Sequence, residues 1–209
     1  MKPLLGIFGG TFDPVHFGHL RPALDVMQAL DIEQVRFLPN CVPPHREQPW
    51  LDAATRRQLL ELALADMPGF ELDCRELERE GKSYMVDTLA SLQADFPDHH
   101  LCLILGMDAF CGLHTWHQWQ RVLQLCHVVV TGRPGFDWPS EPALQVLEAC
   151  RCTDPGELKR LEAGRILLQS VTQLDISASE IRRQLQSGLD IRYLLPEAVR
   201  LKLLEIKNA

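Results

Sequence analysis

Two histidines three residues apart, His16 and His19, follow a Gly9-Gly10 pair within the first twenty residues of the chain. At that spacing both rings fall on one side of a helix's first turn, where they can face a single ligand. Glycines after a strand let backbone N–H groups approach an anion without a Cβ in the way. A helix N-terminus adds partial positive charge at the same place. Gly18, between the histidines, keeps that surface open. A distant segment, Asp175-Ile176-Ser177-Ala178-Ser179-Glu180-Ile181-Arg182, carries a third candidate. Ser177 and Glu180 match a capping box, but Arg182 is a cation one turn inside a helix start, where the macrodipole favours an anion. A bound phosphate would reconcile the two. Two histidines, an arginine and backbone donors have the chemistry of charge stabilisation around phosphate.

The elements that must hold these groups alternate between strand and helix patterns. Residues 4–8 read as a short buried strand that breaks at the glycine pair into a loop. Leu20, Ala23, Leu24, Met27 and Leu30 then recur at helical spacing. Residues 34–39 form a second strand, followed by Asn40-Cys41-Val42-Pro43-Pro44-His45-Arg46, whose prolines exclude helix and stiffen the backbone. Residues 53–66 predict a helix capped by Asp52, with Leu59, Leu62 and Ala63 inward. Residues 70–74 alternate as a strand, and the charged run 75–82 reads as a solvated loop. From Ser83 a helix opens with Met85 or Val86, Leu89, Leu92 and Phe96 as its apolar stripe, and its start offers N–H groups to a carboxylate.

Residues 101–105 are an almost uninterrupted apolar run, as in a central parallel strand covered on both faces. The run ends in Gly106-Met107-Asp108, where Asp108 is placed either to accept hydrogen bonds from a ribose or base or to cap the next helix. His114-Thr115-Trp116-His117-Gln118-Trp119 offers either core packing or a flat surface for an aromatic ring. Its histidines have no nearby third ligand for a metal, and His99-His100 falls in a different loop. Residues 128–131 and 165–169 are further strands, Gly132-Arg133-Pro134-Gly135 follows the first of them, and 136–164 reads as an excursion between core elements. The last helix turns Val199, Leu203, Leu204 and Ile206 inward.

This alternation predicts an α/β fold, a doubly wound, mostly parallel sheet flanked by helices. Ligands of such sheets bind beyond the carboxyl ends of the strands. Gly9-Gly10, Asn40, Gly106, Asp108 and Arg133 all fall there. A chain of 209 residues, 46% hydrophobic, suits one domain over 1–209 with a C-terminal helical segment from about residue 176. A net charge of −7 excludes broad binding to nucleic acid or an anionic membrane. The seven cysteines are odd in number and contain no C-x-x-C pair, which points to buried apolar side chains in a reducing cytoplasm. The first apolar run is too short for a signal peptide, and no run is long enough to span a membrane. Walker, zinc-protease and G-x-S-x-G motifs are missing.

Gly-Gly-Thr-Phe-Asp-Pro followed by His-x-Gly-His, directly after an N-terminal strand, resembles the HxGH nucleotidyltransferase family. Within that family the chain is similar over nearly its whole length to the bacterial nicotinate-nucleotide adenylyltransferases. The carriers are GGTFDPVHFGH at 9–19, LPNCVPPHR at 38–46, SYMVDTL at 83–89, GMD at 106–108, TW at 115–116, GRPG at 132–135 and ISASEIR at 176–182. The resemblance implies a Rossmann-like fold and formation of deamido-NAD and pyrophosphate from ATP and nicotinate mononucleotide. Mg²⁺ would be held mainly by the ATP phosphates, with no metal ligand from the chain.

His16, His19 and Arg182 are implied as catalytic, the histidines steadying the transferred phosphate and the arginine the leaving pyrophosphate. ATP contacts are implied for Gly9, Gly10, Thr11, Phe12, Gly106, Asp108, Ile176, Ser177 and Ser179. Asn40, His45, Arg46, Ser83, Tyr84, Met85, Trp116, His117 and Arg133 would meet the mononucleotide. Trp116 would stack on its pyridine ring, and backbone N–H groups around Met85 and His117 would take its carboxylate. The family commonly has threonine where this chain has Met85 and Ser179, and the methionine bears on substrate preference. Three rivals differ in kind: a phosphopantetheine adenylyltransferase of the same fold, a class I aminoacyl-tRNA synthetase fragment, and a non-catalytic nucleotide sensor. The 38–46 loop and Trp116 argue against the first, the lack of a KMSKS-like motif against the second, and intact His16, His19 and Arg182 against the third. Nothing in the chain speaks for or against a homo-oligomer.

Overall fold

The computed structural model describes residues 2–40, 48–79, 81, 83–132, 135, 138–139 and 142–208. In chain order its elements are β1 (Leu4–Gly10), α1 (Phe17–Ala29), β2 (Gln34–Pro39), α2 (Ala53–Leu64), β3 (Phe70–Leu72), α3 (Met85–Asp95), β4 (His100–Gly106) and α4 (Met107–Cys111). Then come α5 (Trp119–Leu125), β5 (His127–Gly132), α6 (Pro142–Gln145), β6 (Arg151–Cys152), α7 (Gly156–Arg160), β7 (Ile166–Ser170), α8 (Ala178–Gln186) and α9 (Glu197–Asn208). The strands form one sheet in the order β3-β2-β1-β4-β5-β7-β6, and every pairing is parallel.

Successive strand residues face opposite sides of the sheet, and both sides are covered. Leu4, Cys102, Ile104 and Val129 join one apolar cluster with residues of α1, α2, α8 and α9. Leu5, Ile7, Leu101, Leu103, Leu105, Val128 and Val130 join another with residues of α3 and α5. Burial on both faces is why these strands read as continuous apolar runs. From β1 the chain winds outward to β2 and β3, then returns to place β4 on the other side of β1. The connections leaving the carboxyl ends of β1 and β4 therefore diverge, which makes this the switch point at which ligands of such sheets bind.

Several expectations need correction. Gly9 and Gly10 are the last residues of β1, registered against Leu38 and Pro39, so the pair ends the strand and does not form the loop. Residues 136–164 contribute β6, a two-residue edge strand on β7, too short for a period-two pattern to reveal. In α2 the inward residues are Arg56, Leu59, Leu60 and Leu64, whereas Leu62 is exposed. The run 75–82 is not wholly solvated: Arg75 pairs with Asp73 and Asp95, and Glu76 is buried, accepting a hydrogen bond from the Thr88 hydroxyl at 2.7 Å. His100 is in a buried strand, with Nδ1 2.9 Å from the Leu158 carbonyl. Among the described residues no helix is long and apolar enough to cross a membrane.

Candidate active site

The loop from β1 into α1 lies at the switch point, and close approaches fix its shape. Phe12 has φ of +49°, a left-handed conformation that a bulky residue adopts only when its surroundings hold it there. Its ring is 1% exposed and lies 5.9 Å from the Phe37 ring and 5.1 Å from that of His19. A Cβ on Gly10 would stand 2.9 Å from this ring. Phe12 is thus a packing residue, and the expected ATP contact can come only from its backbone.

His16 is the N-cap of α1 in extended conformation, and its backbone N–H donates to His19 Nδ1 at 3.3 Å. The two imidazoles stack with centroids 3.7 Å apart. His16 is 4% exposed and its Nδ1 has no hydrogen-bond partner among the described residues. Gly18 is glycine for a different reason than an open surface. A Cβ there would meet His16 Nδ1 at 2.9 Å and the Ile176 carbonyl at 3.0 Å. The segment entering α8 therefore rests directly on the start of α1.

That segment supplies Arg182. Its Nη1 donates to the Asp13 carbonyl at 2.6 Å and lies 3.4 Å from the Asp13 carboxylate, while Nη2 donates to Ser179 Oγ at 3.1 Å. Asp13 is thus the anionic group that meets this cation near the helix start. Ser177 is the N-cap, its Oγ accepting from Glu180 N–H at 3.2 Å. The Glu180 side chain turns instead to Arg183 and Gln184, so only half of the capping box forms. Ser177 and Ser179 stay exposed and Ile176 half-buried beside the loop.

Two other groups meet the loop. Asn40 continues β2, its N–H donating to the Gly10 carbonyl at 3.0 Å and its Nδ2 lying 3.5 Å from Thr11 Oγ1. On the other side, Tyr84, Met85 and Trp116 each pack against the same core cluster, and His117 lies over Tyr84 with ring centroids 4.4 Å apart. Met85 reaches the end of β1: a Cβ on Gly9 would stand 3.0 Å from its terminal methyl. Tyr84 is the N-cap of α3 and offers no side-chain cap; Asp87 and Thr88 N–H donate to its carbonyl, so it is the N–H groups of Met85 and Val86 that the helix start can turn to a ligand. Ser83 is buried and donates its hydroxyl to the Glu76 carbonyl at 3.3 Å, so its side chain holds the loop and is not presented to a substrate. Gly106 and Asp108 are exposed at the end of β4. Asp108 sits inside α4 and caps nothing, which settles its helix-cap alternative. His45, Arg46 and Arg133 lie outside the described residues.

Two contributors escaped the residue pattern. Asp13 accepts from Trp50 N–H at 2.7 Å and Leu51 N–H at 2.9 Å, tying the loop to the entry of α2. Arg56, 1% exposed, donates through Nη1 to the carbonyls of Thr11 and Asn40, each at 2.8 Å. The available signal was its place: position 56 begins the apolar stripe 56, 59, 60, 63, 64 of α2, where an arginine is out of keeping. Among the described residues, no group of three or more His, Cys, Asp or Glu is arranged to hold a metal ion.

Burial lowers the His16 pKa from 6.5 to about 4. Burial first, and then the nearby His16, hold His19 well below its ordinary value. Both rings are neutral at pH 7. Below pH 6.5 the unfolded chain takes up a proton on His16 that the folded protein refuses until about pH 4, so acid favours unfolding through that window. Stability present above pH 6.5 is expected to fall by on the order of 3 kcal/mol at the lower end. Thermal midpoints of wild type and His16→Gln between pH 7 and 4.5 check this, and equal slopes would exclude His16 as the source. His127 shares the downward direction, burial being the largest cause, but it is present in both proteins.

A family model described as cytidylyltransferase-like matches residues 7–184. A protein of Methylococcus capsulatus named "probable nicotinate-nucleotide adenylyltransferase" is 50% identical over 198 residues, 94% of each chain. A protein of Halorhodospira halophila with the same name is 48% identical over 202 residues, 96% of this chain and 93% of its own. Among solved structures, the Plasmodium falciparum nicotinic acid mononucleotide adenylyltransferase complexed with NaAD superposes with a TM-score of 0.71. The match covers 98% of this chain and 96% of that one at 17% identity, a likeness of fold. With relatives near half-identity from end to end and a family model over most of its length, the chain belongs to the nicotinate-nucleotide adenylyltransferases of the cytidylyltransferase-like family.

Proposed function

We propose that the protein transfers the adenylyl group of ATP to nicotinate mononucleotide, forming deamido-NAD and pyrophosphate. The observation that carries this reading is the gathering of His16, His19 and Arg182 around the loop from β1 into α1, at the sheet's switch point. It is supported by 50% identity over 94% of the chain to a relative of that name. An oxygen of the mononucleotide phosphate attacks the α-phosphorus of ATP. The new P–O bond forms as the bond to the bridging oxygen breaks, and that electron pair leaves with pyrophosphate.

The attacking phosphate has a second pKa of about 6 and is ionised at neutral pH, so no strong general base is needed. Neutral histidines suit this, because their task is to donate hydrogen bonds to the transferred phosphate. Arg182 turns from Asp13 to the leaving pyrophosphate. Mg²⁺ carried by the ATP phosphates would offset their negative charge. Gly9, Gly10, Thr11, Gly106, Asp108 and the 176–179 segment border ATP. The start of α3 takes the pyridine carboxylate while Trp116, next in the chain to the His117 that lies over Tyr84, stacks on the ring.

Pyrophosphate release from ATP is measured with nicotinate mononucleotide, with its amide and with phosphopantetheine. The acid is expected to exceed the amide by at least roughly tenfold in kcat/KM, since a carboxylate accepts stronger hydrogen bonds from the helix start. Preference for phosphopantetheine would overturn the reading, and no turnover with any of the three would favour a nucleotide sensor.

A further inference from the structure

We infer that Arg56 is a positioning residue for adenylyl transfer: its guanidinium sets the distance between the loop after β1 and the loop after β2, and so the line between attacking and transferred phosphates. The inference rests on the proposed reaction. Its carriers are the two 2.8 Å hydrogen bonds from Nη1 to the Thr11 and Asn40 carbonyls. Those carbonyls belong to the residues that follow the final rung between the two strands, Gly10 against Pro39. Thr11 leads into the histidine loop, and Asn40 opens the loop assigned to the mononucleotide. One buried donor thus joins the two sides of the reaction.

Packing alone does not account for an arginine here. Leu59, Leu60 and Leu64 fill the rest of the same helix face. Burying a charge among them is costly unless hydrogen bonds compensate, and a leucine would pack without that cost. What a leucine cannot do is hold two carbonyls from separate strands at one point. Lysine keeps the charge but replaces a planar fork with a flexible point donor.

The loop is also held, by a second tie, from the segment that enters the same helix. The Asp13 carboxylate accepts from Trp50 and Leu51 N–H groups just before α2 begins. The Thr11 bond and the Asp13 bonds flank Phe12, whose left-handed backbone they lock. Without Arg56 the Thr11 side of that lock is lost, and the shift passes to His16 and His19. Arg56, 1% exposed, acts through the two loops whose carbonyls it holds.

Arg56→Lys and Arg56→Ala are compared with wild type at a temperature well below each protein's own midpoint. A misplacement of about 1 Å can cost on the order of 100-fold, so kcat is expected to fall roughly 10- to 100-fold in both, with KM for ATP within about threefold. Millimolar guanidinium is expected to restore part of the Arg56→Ala rate and none of a His19→Ala rate. Amide exchange should accelerate in segments 9–13 and 38–40 of Arg56→Lys without a matching rise in β4 and β5. An Arg56→Lys enzyme with kcat within threefold of wild type would overturn the inference. Exchange that rises uniformly would overturn it too, by reducing Arg56 to a general stabiliser. If wild type itself fails to turn over nicotinate mononucleotide, the proposed reaction falls, while the exchange pattern still decides whether Arg56 sets the loops.

Discussion

Replacing His19 with alanine is expected to lower kcat by roughly 10²- to 10³-fold while the protein stays folded. The loss is that of an oriented neutral donor. His19 Nδ1 accepts the His16 backbone N–H at 3.3 Å, so geometry assigns the ring proton of the neutral form to Nε2. Phe12 and Phe8 meet the same ring edge-on at 5.1 and 6.4 Å, and His16 stacks on it at 3.7 Å. The ring therefore has little freedom to turn, and a donor that needs no reorientation in the transition state is the kind that contributes most to rate. Because burial keeps the ring neutral, the acidic limb of the free enzyme's activity should not report an ordinary histidine near pH 6.5. Pyrophosphate release at saturating substrate, with circular dichroism as the folding control, checks the claim. Unchanged turnover would remove His19 from the mechanism.

Asp13→Ala is expected to damage stability and activity together. Its carboxylate, 6% exposed, accepts two backbone N–H groups, and the Leu51 bond is buried. Orphaning a buried donor costs about 1–3 kcal/mol, and bonds to a charged acceptor lie at the upper end, so a loss of about 3 kcal/mol is expected. In a chain of this length that lowers the thermal midpoint by roughly 6–12 °C. The Arg182 guanidinium keeps its 2.6 Å bond to the Asp13 carbonyl but loses the carboxylate beside it. With the loop released from α2, kcat should fall by at least roughly tenfold, as expected when positioning is lost. Asp13→Asn keeps one acceptor oxygen and should fall between. A midpoint within 2 °C of wild type, set against the roughly 6–12 °C expected, would show that water replaces the carboxylate and that the tie is not a fixed part of the site.

The strands and helices that matter most were legible because their burial is periodic. β2 spans Gln34–Pro39 as its pattern predicts, and β4 reads as apolar because it lies between β1 and β5 with both faces covered. Asp52 caps α2 through Thr55 N–H at 2.7 Å, and Ser177 caps α8, since such caps depend only on residues three apart. Errors arose where a residue's role depends on distant partners. Glu76 stands in a run of charges yet is buried beneath α3, because the Thr88 hydroxyl and the Ser83 side chain fold over it. Burial raises its pKa, a property no count of local charges contains.

The amino-acid sequence by itself determined the strand–helix alternation of the core, the segment that carries His16 and His19, and the family, because these follow from local spacing and from strings of adjacent residues. Only the tertiary structure decided what those strings face. Gly18 is glycine because His16 and the Ile176 carbonyl, from opposite ends of the chain, already occupy the space a side chain would need. Arg182 answers to Asp13, 169 positions away, and Arg56 joins two strands that meet only in the sheet. Such contacts depend on the crossover that sets β4 beside β1 and on the packing of α2 and α8 against it. Their physical basis is that a buried polar group must find its partner wherever the fold brings one, and sequence distance places no limit on that search.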